Sequence, residues 1–174
     1  ATTAATSQTA CAAGTYQPST GQSSCIDASA GYYTSSAGST SQTACSAGTY
    51  QPNMGQTSCL NADAGYYVSI TGSPSQTACA AGTYQPIMGQ SNCLDASAGY
   101  YVDITAATSQ TACATGTYQP STGQTSCTDA SAGYYVPTTA ATSQTACAVG
   151  TYQSNTGQSS CLDAGAGYYV GTTA

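Results

Sequence analysis

The chain contains no Lys, Arg or His among its 174 residues, and its only charged side chains are six Asp. It also lacks Glu, Phe and Trp. Because the usual general acids and bases are missing, we expect neither an enzyme nor a cofactor site. Without cations the chain cannot neutralise nucleic-acid phosphates or bind an anionic membrane surface, so neither is expected as a partner. No apolar run is long enough to span a bilayer.

Large aliphatic side chains are scarce as well. Leu, Ile and Val total twelve of 174 residues, about 7%, which is below the content of chains that form a conventional core. Such a chain is either disordered or held together by covalent bonds. Ten regularly placed cysteines favour disulfides, and disulfides persist outside the cell. We therefore expect an extracellular protein, secreted or displayed at the cell surface.

The sequence is a tandem repeat. The cysteine spacing alternates between 14 and 20 residues, which gives a period of 34. Units open with S-Q-T-A-C and are predicted at residues 7–40, 41–74, 75–108, 109–142 and 143–174, the last being two residues short. Residues 1–6 resemble the end of a preceding unit. We expect the array to continue in a longer polypeptide.

Each unit divides into two predicted β-hairpins. In the first, residues 15–17 form the outgoing strand, Pro18 to Gly21 the turn, and residues 22–25 the return, because Pro and Gly bracket a four-residue break. In the second, residues 32–34 and 42–44 carry the strand-favouring Tyr and Thr. The fold class expected is all-β, small and disulfide-rich, an elongated array without helices.

The motif C-x-x-G-T-Y-Q-P-x-x-G-Q-x-x-C resembles the ephrin-receptor-like cysteine-rich repeats, distant relatives of tumour-necrosis-factor-receptor repeats. The resemblance covers all five units and implies a module of large extracellular proteins. One position departs from the family, which commonly has a further Cys three residues after G-Q-x-x-C. Alanine stands there instead, at Ala28, Ala62, Ala96, Ala130 and Ala164. The second hairpin is therefore expected to lack a bridge of its own.

Two disulfide registers are open on the residues alone, with partners 14 or 20 residues apart. Loop-closure entropy does not decide, because a loop of about 15 residues contributes roughly 3 kcal/mol and one of about 21 adds only roughly 0.3. The resemblance, with the hairpin that its motif would close, favours 14. The pairs implied are Cys11–Cys25, Cys45–Cys59, Cys79–Cys93, Cys113–Cys127 and Cys147–Cys161. A zinc site would need C-x-x-C knuckles, which are missing.

Fifteen tyrosines recur as one plus two in each unit. We predict that they pack together in place of the missing aliphatic core. The alternatives are a sugar-binding surface or dityrosine cross-linking. The residues are Tyr16, Tyr32, Tyr33, Tyr50, Tyr66, Tyr67, Tyr84, Tyr100, Tyr101, Tyr118, Tyr134, Tyr135, Tyr152, Tyr168 and Tyr169.

Ser and Thr make up about a third of the chain and crowd the loop of the second hairpin. They either solvate the loop or carry O-linked glycans, as in Ser/Thr-rich stalks. No N-x-S/T sequon exists, so N-glycans are excluded. The candidate O-glycosylation sites are Thr34, Ser35, Ser36, Ser69, Thr71, Thr105, Thr108, Thr138, Thr139 and Thr142.

The near identity of the units indicates a structural role, as a segment of a long filament or stalk. The partners expected are neighbouring repeats, other copies in a filament and covalent glycans. The alternative is a binding module, an adhesin or receptor ectodomain, which would show units with divergent exposed aromatics or charges. A second alternative is an ice-binding surface, since Thr15, Thr49, Thr83, Thr117 and Thr151 recur at one position.

Overall fold

A computed structural model describes residues 7–173. Within them it contains no helix, and every strand is two residues long. The strands are β1 (Thr15–Tyr16), β2 (Ile26–Asp27), β3 (Tyr32–Tyr33), β4 (Thr43–Ala44), β5 (Thr49–Tyr50), β6 (Leu60–Asn61), β7 (Tyr66–Tyr67), β8 (Thr77–Ala78), β9 (Thr83–Tyr84), β10 (Leu94–Asp95), β11 (Tyr100–Tyr101), β12 (Thr111–Ala112), β13 (Thr117–Tyr118), β14 (Thr128–Asp129), β15 (Tyr134–Tyr135), β16 (Thr145–Ala146), β17 (Thr151–Tyr152) and β18 (Leu162–Asp163). They pair into nine two-stranded hairpins, which confirms the predicted all-β, disulfide-rich fold.

The predicted return strand of the first hairpin is wrong by several residues. Thr15 pairs with Asp27 and Tyr16 with Ile26, so the return strand follows Cys25 instead of ending at it. Residues 22–25 belong to the loop, where the Gln17 amide donates a 2.8 Å hydrogen bond to the carbonyl of Ser24. In the second hairpin Tyr32 pairs with Ala44, within the predicted segments.

The structural period is 17 residues, half of the sequence period. Outgoing strands begin at Thr15, Tyr32 and Thr49, and return strands at Ile26, Thr43 and Leu60. The two halves of a unit are thus the same hairpin with different side chains. When the two hairpins are aligned, Cys11 is equivalent to Ala28, and Cys25 is equivalent to Gln42.

Within each compact part of the chain, backbone hydrogen bonds join successive hairpins in the same way. The N–H of Gly14 donates to the carbonyl of Thr34, and that of Gly31 to Gln51, at 2.8 and 2.7 Å. A second bond runs from the Gly38 N–H to the Cys11 carbonyl, at 2.8 Å. These bonds satisfy backbone groups that two-residue strands leave unpaired. Hairpins too small to be stable alone are therefore held by their neighbours.

The apolar part of the buried interior is made of small residues, and the loop glutamines of the first hairpins are buried beside them. Ala28, Ala62 and Cys79 have no exposed surface, and Val68 is 2% exposed. The prediction that tyrosines replace the core is therefore wrong in part, because the tyrosines lie at the margin of this interior. Alanine, cysteine and valine are the apolar residues that this interior buries fully.

The described residues divide into two compact units. One runs to Thr77 and includes Ile87–Asn92, and the other comprises Ala78–Pro86 and continues from Cys93. Both contain the same hairpin and the same pattern of backbone bonds. The predicted end of a preceding repeat, at residues 1–6, lies outside the described residues, as does Ala174.

Candidate functional site

Every first hairpin of a unit is closed by a disulfide. The bridges are Cys11–Cys25, Cys45–Cys59, Cys79–Cys93, Cys113–Cys127 and Cys147–Cys161, each with a sequence separation of 14. Their Cα atoms lie 5.7–5.8 Å apart, an ordinary distance for a disulfide. This is the pairing that the resemblance implied. No free thiol exists among the described cysteines, which account for all ten.

The second hairpin of each of the first four units is closed by a glutamine, at the position equivalent to the disulfide. The side-chain carbonyl of Gln42 accepts a 2.7 Å hydrogen bond from the N–H of Ser29. Gln76, Gln110 and Gln144 accept equivalent bonds of 2.6–2.7 Å. Ser29 follows Ala28, the position equivalent to Cys11, so the glutamine spans the two segments that the disulfide joins. Sequence reasoning missed this role, although the invariant S-Q-T-A-C opening of each unit was its signal.

A second glutamine organises the P-x-x-G loop. Gln51 is 4% exposed, its amide donates to the carbonyl of Ser58 at 2.9 Å, and its oxygen accepts from the N–H of Asn53 at 3.1 Å. Both ends of the side chain are therefore satisfied in a buried setting. In the second hairpin the equivalent position is Val68, also buried. Gln17 and its counterparts were predicted to be strand residues, and their loop contacts were not predicted.

A glycine at the start of each hairpin permits the close contact between hairpins. Gly48 has φ +86°, and a Cβ built there would overlap the carbonyl oxygen of Gly89, two hairpins further along. Neither the backbone angle nor the space admits a side chain. The glycine thus sets how near the hairpins can lie.

Thirteen of the fifteen tyrosines sit in strands at the margin of the interior. Tyr84, for example, packs against the buried cluster of Ala96, Val102 and Ala107. Tyr168 and Tyr169 are 82% and 91% exposed. No return strand pairs with them within the described residues.

The candidate O-glycosylation residues in the loops of the second hairpins are exposed, with one exception. Ser35, Ser36, Ser69, Thr71, Thr105, Thr108, Thr138, Thr139 and Thr142 lie at the surface. Thr34 is only 3% exposed and cannot carry a glycan in this fold, so its selection as a candidate is wrong. It occupies the position of the buried Val68, and its hydroxyl has no hydrogen-bond partner.

The repeated threonine at the head of each first hairpin has a local role. The Thr15 hydroxyl donates to the carbonyl of Ala12 at 2.8 Å. An equivalent bond, from the hydroxyl to the carbonyl three residues earlier, is made by Thr49, Thr83, Thr117 and Thr151. These bonds close the turn that precedes the strand. A hydroxyl engaged in its own turn is poorly placed to order water, which weakens the ice-binding alternative.

Within residues 7–173 there is no cluster of three Cys or Asp side chains that could hold a metal ion. A concavity of about 930 Å³ beside the first hairpin is lined by Ser, Thr, Gln, Gly, Ala and the Cys11–Cys25 bridge. None of these groups is an acid or base at neutral pH. No helix among the described residues has the length and apolar character needed to cross a membrane.

The sequence profile of one protein family, described as tyrosine-protein kinase ephrin type A/B receptor-like, matches residues 2–45, 43–79, 65–113 and 99–147. A search of curated proteins finds no matching relative. The four matches overlap and together span most of the chain, and each includes disulfide-bonded cysteines. Disulfide-rich repeats of this kind are typical of extracellular proteins. The chain belongs to the ephrin-receptor-like family of cysteine-rich repeats.

Proposed function

We propose that this chain is a load-bearing segment of an extracellular filament or stalk. The observation that carries the proposal is the alternation of two closures along one repeated hairpin, a disulfide such as Cys11–Cys25 and a glutamine hydrogen bond such as Gln42 to Ser29. Repeats that bond to their sequence neighbours form quasi-one-dimensional arrays. Each unit has the same bridge at the same place, so the units are mechanically equivalent.

The disulfide limits how far a pulled unit extends. Each bridge spans 14 residues of a 34-residue period, so about twenty residues per unit lie outside it. At about 3.4 Å per extended residue, those residues release something near 65–70 Å per unit. A stalk built in this way lengthens under load in equal steps and retains its covalent loops.

Single-molecule pulling of the chain tests the proposal. We expect uniform unfolding steps of about 65–70 Å, and longer steps after reduction, because the bridged loops then extend too. A single large unfolding event, or steps that reductant leaves unchanged, would overturn it.

We infer further that the surface carries O-linked glycans. The chain has only six charges, so glycans would supply the solubility that charged side chains usually provide. The exposed hydroxyls of residues 35–36, 69–71, 105–108 and 138–142 support this inference. An intact mass equal to that of the bare polypeptide, less the hydrogens lost to five disulfides, would contradict it.

We also propose that the chain catalyses no reaction and binds neither nucleic acid nor membrane. All ten cysteines are in disulfides, which removes thiol nucleophiles. The remaining titratable side chains are Asp and Tyr, and the sequence has no cation. Other copies of the chain and covalent glycans are the partners that a filament of this composition would have.

A further inference from the structure

Most of the large aliphatic side chains are exposed at the surface of the protein. Exposure exceeds 40% for Ile26, Leu60, Ile70, Ile87, Leu94, Ile104, Val149 and Leu162, which are eight of the twelve Leu, Ile and Val residues. Both methionines are exposed as well. The interior meanwhile is filled by Ala, Cys and Val. A chain so poor in aliphatics that places most of them at the surface has them available for a partner.

Four of these side chains lie on the loops of three successive hairpins in one compact unit. Met54, Ile70, Ile87 and Met88 are 61%, 65%, 62% and 54% exposed, and we call them the Met/Ile surface. Met54 precedes the turn glycine of the β5–β6 hairpin, Ile70 lies in the loop after β7, and Ile87–Met88 lie between β9 and β10.

Backbone bonds hold these loops beside one another. The Gln51 N–H donates to the carbonyl of Ser73 at 3.2 Å, which ties the first loop to the second. The Val68 N–H donates to the carbonyl of Gln90 at 3.1 Å, which ties the second to the third. The four exposed side chains therefore lie on adjacent loops that are bonded to one another through the backbone.

Two positions of the Met/Ile surface, that of Ile87 and that shared by the two methionines, vary between units, whereas the position of Ile70 is filled in the third unit by Ile104, which is also exposed. At the position of Ile87 the first and fourth units have Ser19 and Ser121. At the position of the methionines the other units have Thr20, Thr122 and Thr156. Small polar side chains thus suffice for the fold at these places, so the aliphatic side chains serve something other than folding.

Charge indicates what covers this surface. A Cβ built on Gly55 would lie 3.5 Å from the Asp27 carboxylate, so that carboxylate stands beside the loop of Met54. The chain holds six Asp and no cation to neutralise them. A second copy would bring further carboxylates and no cation, and like charges across an interface cost affinity.

We propose that the Met/Ile surface is a docking site for a protein segment that combines aliphatic side chains with Lys or Arg. The aliphatic groups cover Met54, Ile70, Ile87 and Met88, and a cation pairs with Asp27. Methionine suits such a surface, because its flexible and polarizable side chain adapts to different partners. The array would then carry one binding region among units that otherwise only connect.

Binding of short synthetic peptides to the intact, oxidised chain tests the proposal. The first peptide alternates Leu with Lys, the second replaces Lys by Glu, and the third replaces Leu by Ser. Calorimetry should show binding of the Leu/Lys peptide and at least tenfold weaker binding of the other two. Equal binding of the Ser/Lys peptide would reduce the interaction to charge alone and overturn the apolar site.

Variants locate the site. Met54→Thr, Ile87→Ser and Met88→Thr, made together, introduce the residues of equivalent units and should weaken Leu/Lys peptide binding at least tenfold. The matched control is Leu60→Thr, an aliphatic side chain outside the surface that is 47% exposed, for which Thr128 stands in the fourth unit. Equal loss in the control, or no loss in the triple variant, would overturn the proposal.

Two further measurements keep the test decisive if the triple variant folds poorly. Mild oxidation converts Met54 and Met88, the chain's two methionines, to polar sulfoxides without changing the sequence, and should weaken peptide binding. Sedimentation equilibrium measures self-association of the untreated chain. If the untreated chain forms a dimer and the Met54→Thr/Met88→Thr variant is a monomer, the surface binds a second copy of the chain, and the proposal of a cationic partner is overturned. Failure of the stalk proposal in pulling experiments would leave these binding results unchanged.

Discussion

Gln42 accepts a 2.7 Å hydrogen bond from the N–H of Ser29, at the place where the preceding hairpin has the Cys11–Cys25 disulfide. One hairpin geometry is therefore closed in two ways, once covalently and once by a neutral hydrogen bond. The disulfide acts mainly by restricting the unfolded chain, whereas the hydrogen bond acts only in the folded one. The two halves of each unit are thus expected to differ in stability although they share a fold.

The first prediction adds the missing bridge. Ala28 and Gln42 occupy positions equivalent to Cys11 and Cys25, whose Cα atoms are 5.7 Å apart. The double variant Ala28→Cys/Gln42→Cys should form a sixth disulfide and be more stable by about 3 kcal/mol, the value for a loop of about 15 residues, than a variant that also lacks the Gln42 hydrogen bond but has no bridge. Peptide mapping and the urea midpoint measure this. The control is Ala28→Ser/Gln42→Ser, and free thiols in the oxidised double variant would contradict the equivalence.

The second prediction removes the hydrogen bond. Gln42→Ala leaves the Ser29 N–H without its acceptor in a part-buried hairpin and should cost about 1–2 kcal/mol of unfolding free energy. Gln22→Ala is the control, because Gln22 is exposed and its amide reaches only the carbonyl of Thr20 at 3.5 Å. Urea denaturation of the two variants compares them. Equal midpoints would mean that Gln42 does not hold the hairpin closed.

The third prediction concerns the close approach of hairpins. Gly48→Ala would place a Cβ on the Gly89 carbonyl at φ +86°, and should cost about 3 kcal/mol or more. Gly38→Ala is the control, since its nearest neighbour would be the Ala10 Cβ at 3.9 Å. The equivalent residues Ala106 and Ala140 already adopt φ 56°. Thermal melting should separate the variants clearly, and similar losses would show that the contact is dispensable.

The fourth prediction is a stabilising substitution. Thr34 is 3% exposed, and its hydroxyl has no partner, whereas the equivalent Val68 is 2% exposed. Thr34→Val removes an unsatisfied buried group without changing the shape of the side chain, and should stabilise by about 1–2 kcal/mol. The reverse change, Val68→Thr, should destabilise by about 1–3 kcal/mol. Calorimetric melting temperatures that move in the same direction for both variants would refute this account.

The sequence by itself determined the fold class and the tandem architecture. The sequence has two cysteines in each 34-residue period, few aliphatic residues and repeated Gly and Tyr. This pattern predicts small hairpins joined by disulfides. The strand positions of Tyr16 and Tyr32 followed from local propensity, because tyrosine and threonine favour extended backbone. The family motif, in turn, implied the bridge from Cys11 to Cys25.

Only the three-dimensional structure shows which residues of that pattern close the hairpins and which are buried between them. The 17-residue equivalence of Cys25 with Gln42 is hidden in the sequence, because the two side chains share no chemistry. From the sequence Thr34 is predicted to be an exposed loop residue, but in the structure contacts between hairpins bury it. Likewise, the tertiary structure leaves the tyrosines outside the fully buried interior, and Met54 and Ile70 exposed. Burial depends on contacts between residues distant in sequence, and local patterns do not record those contacts.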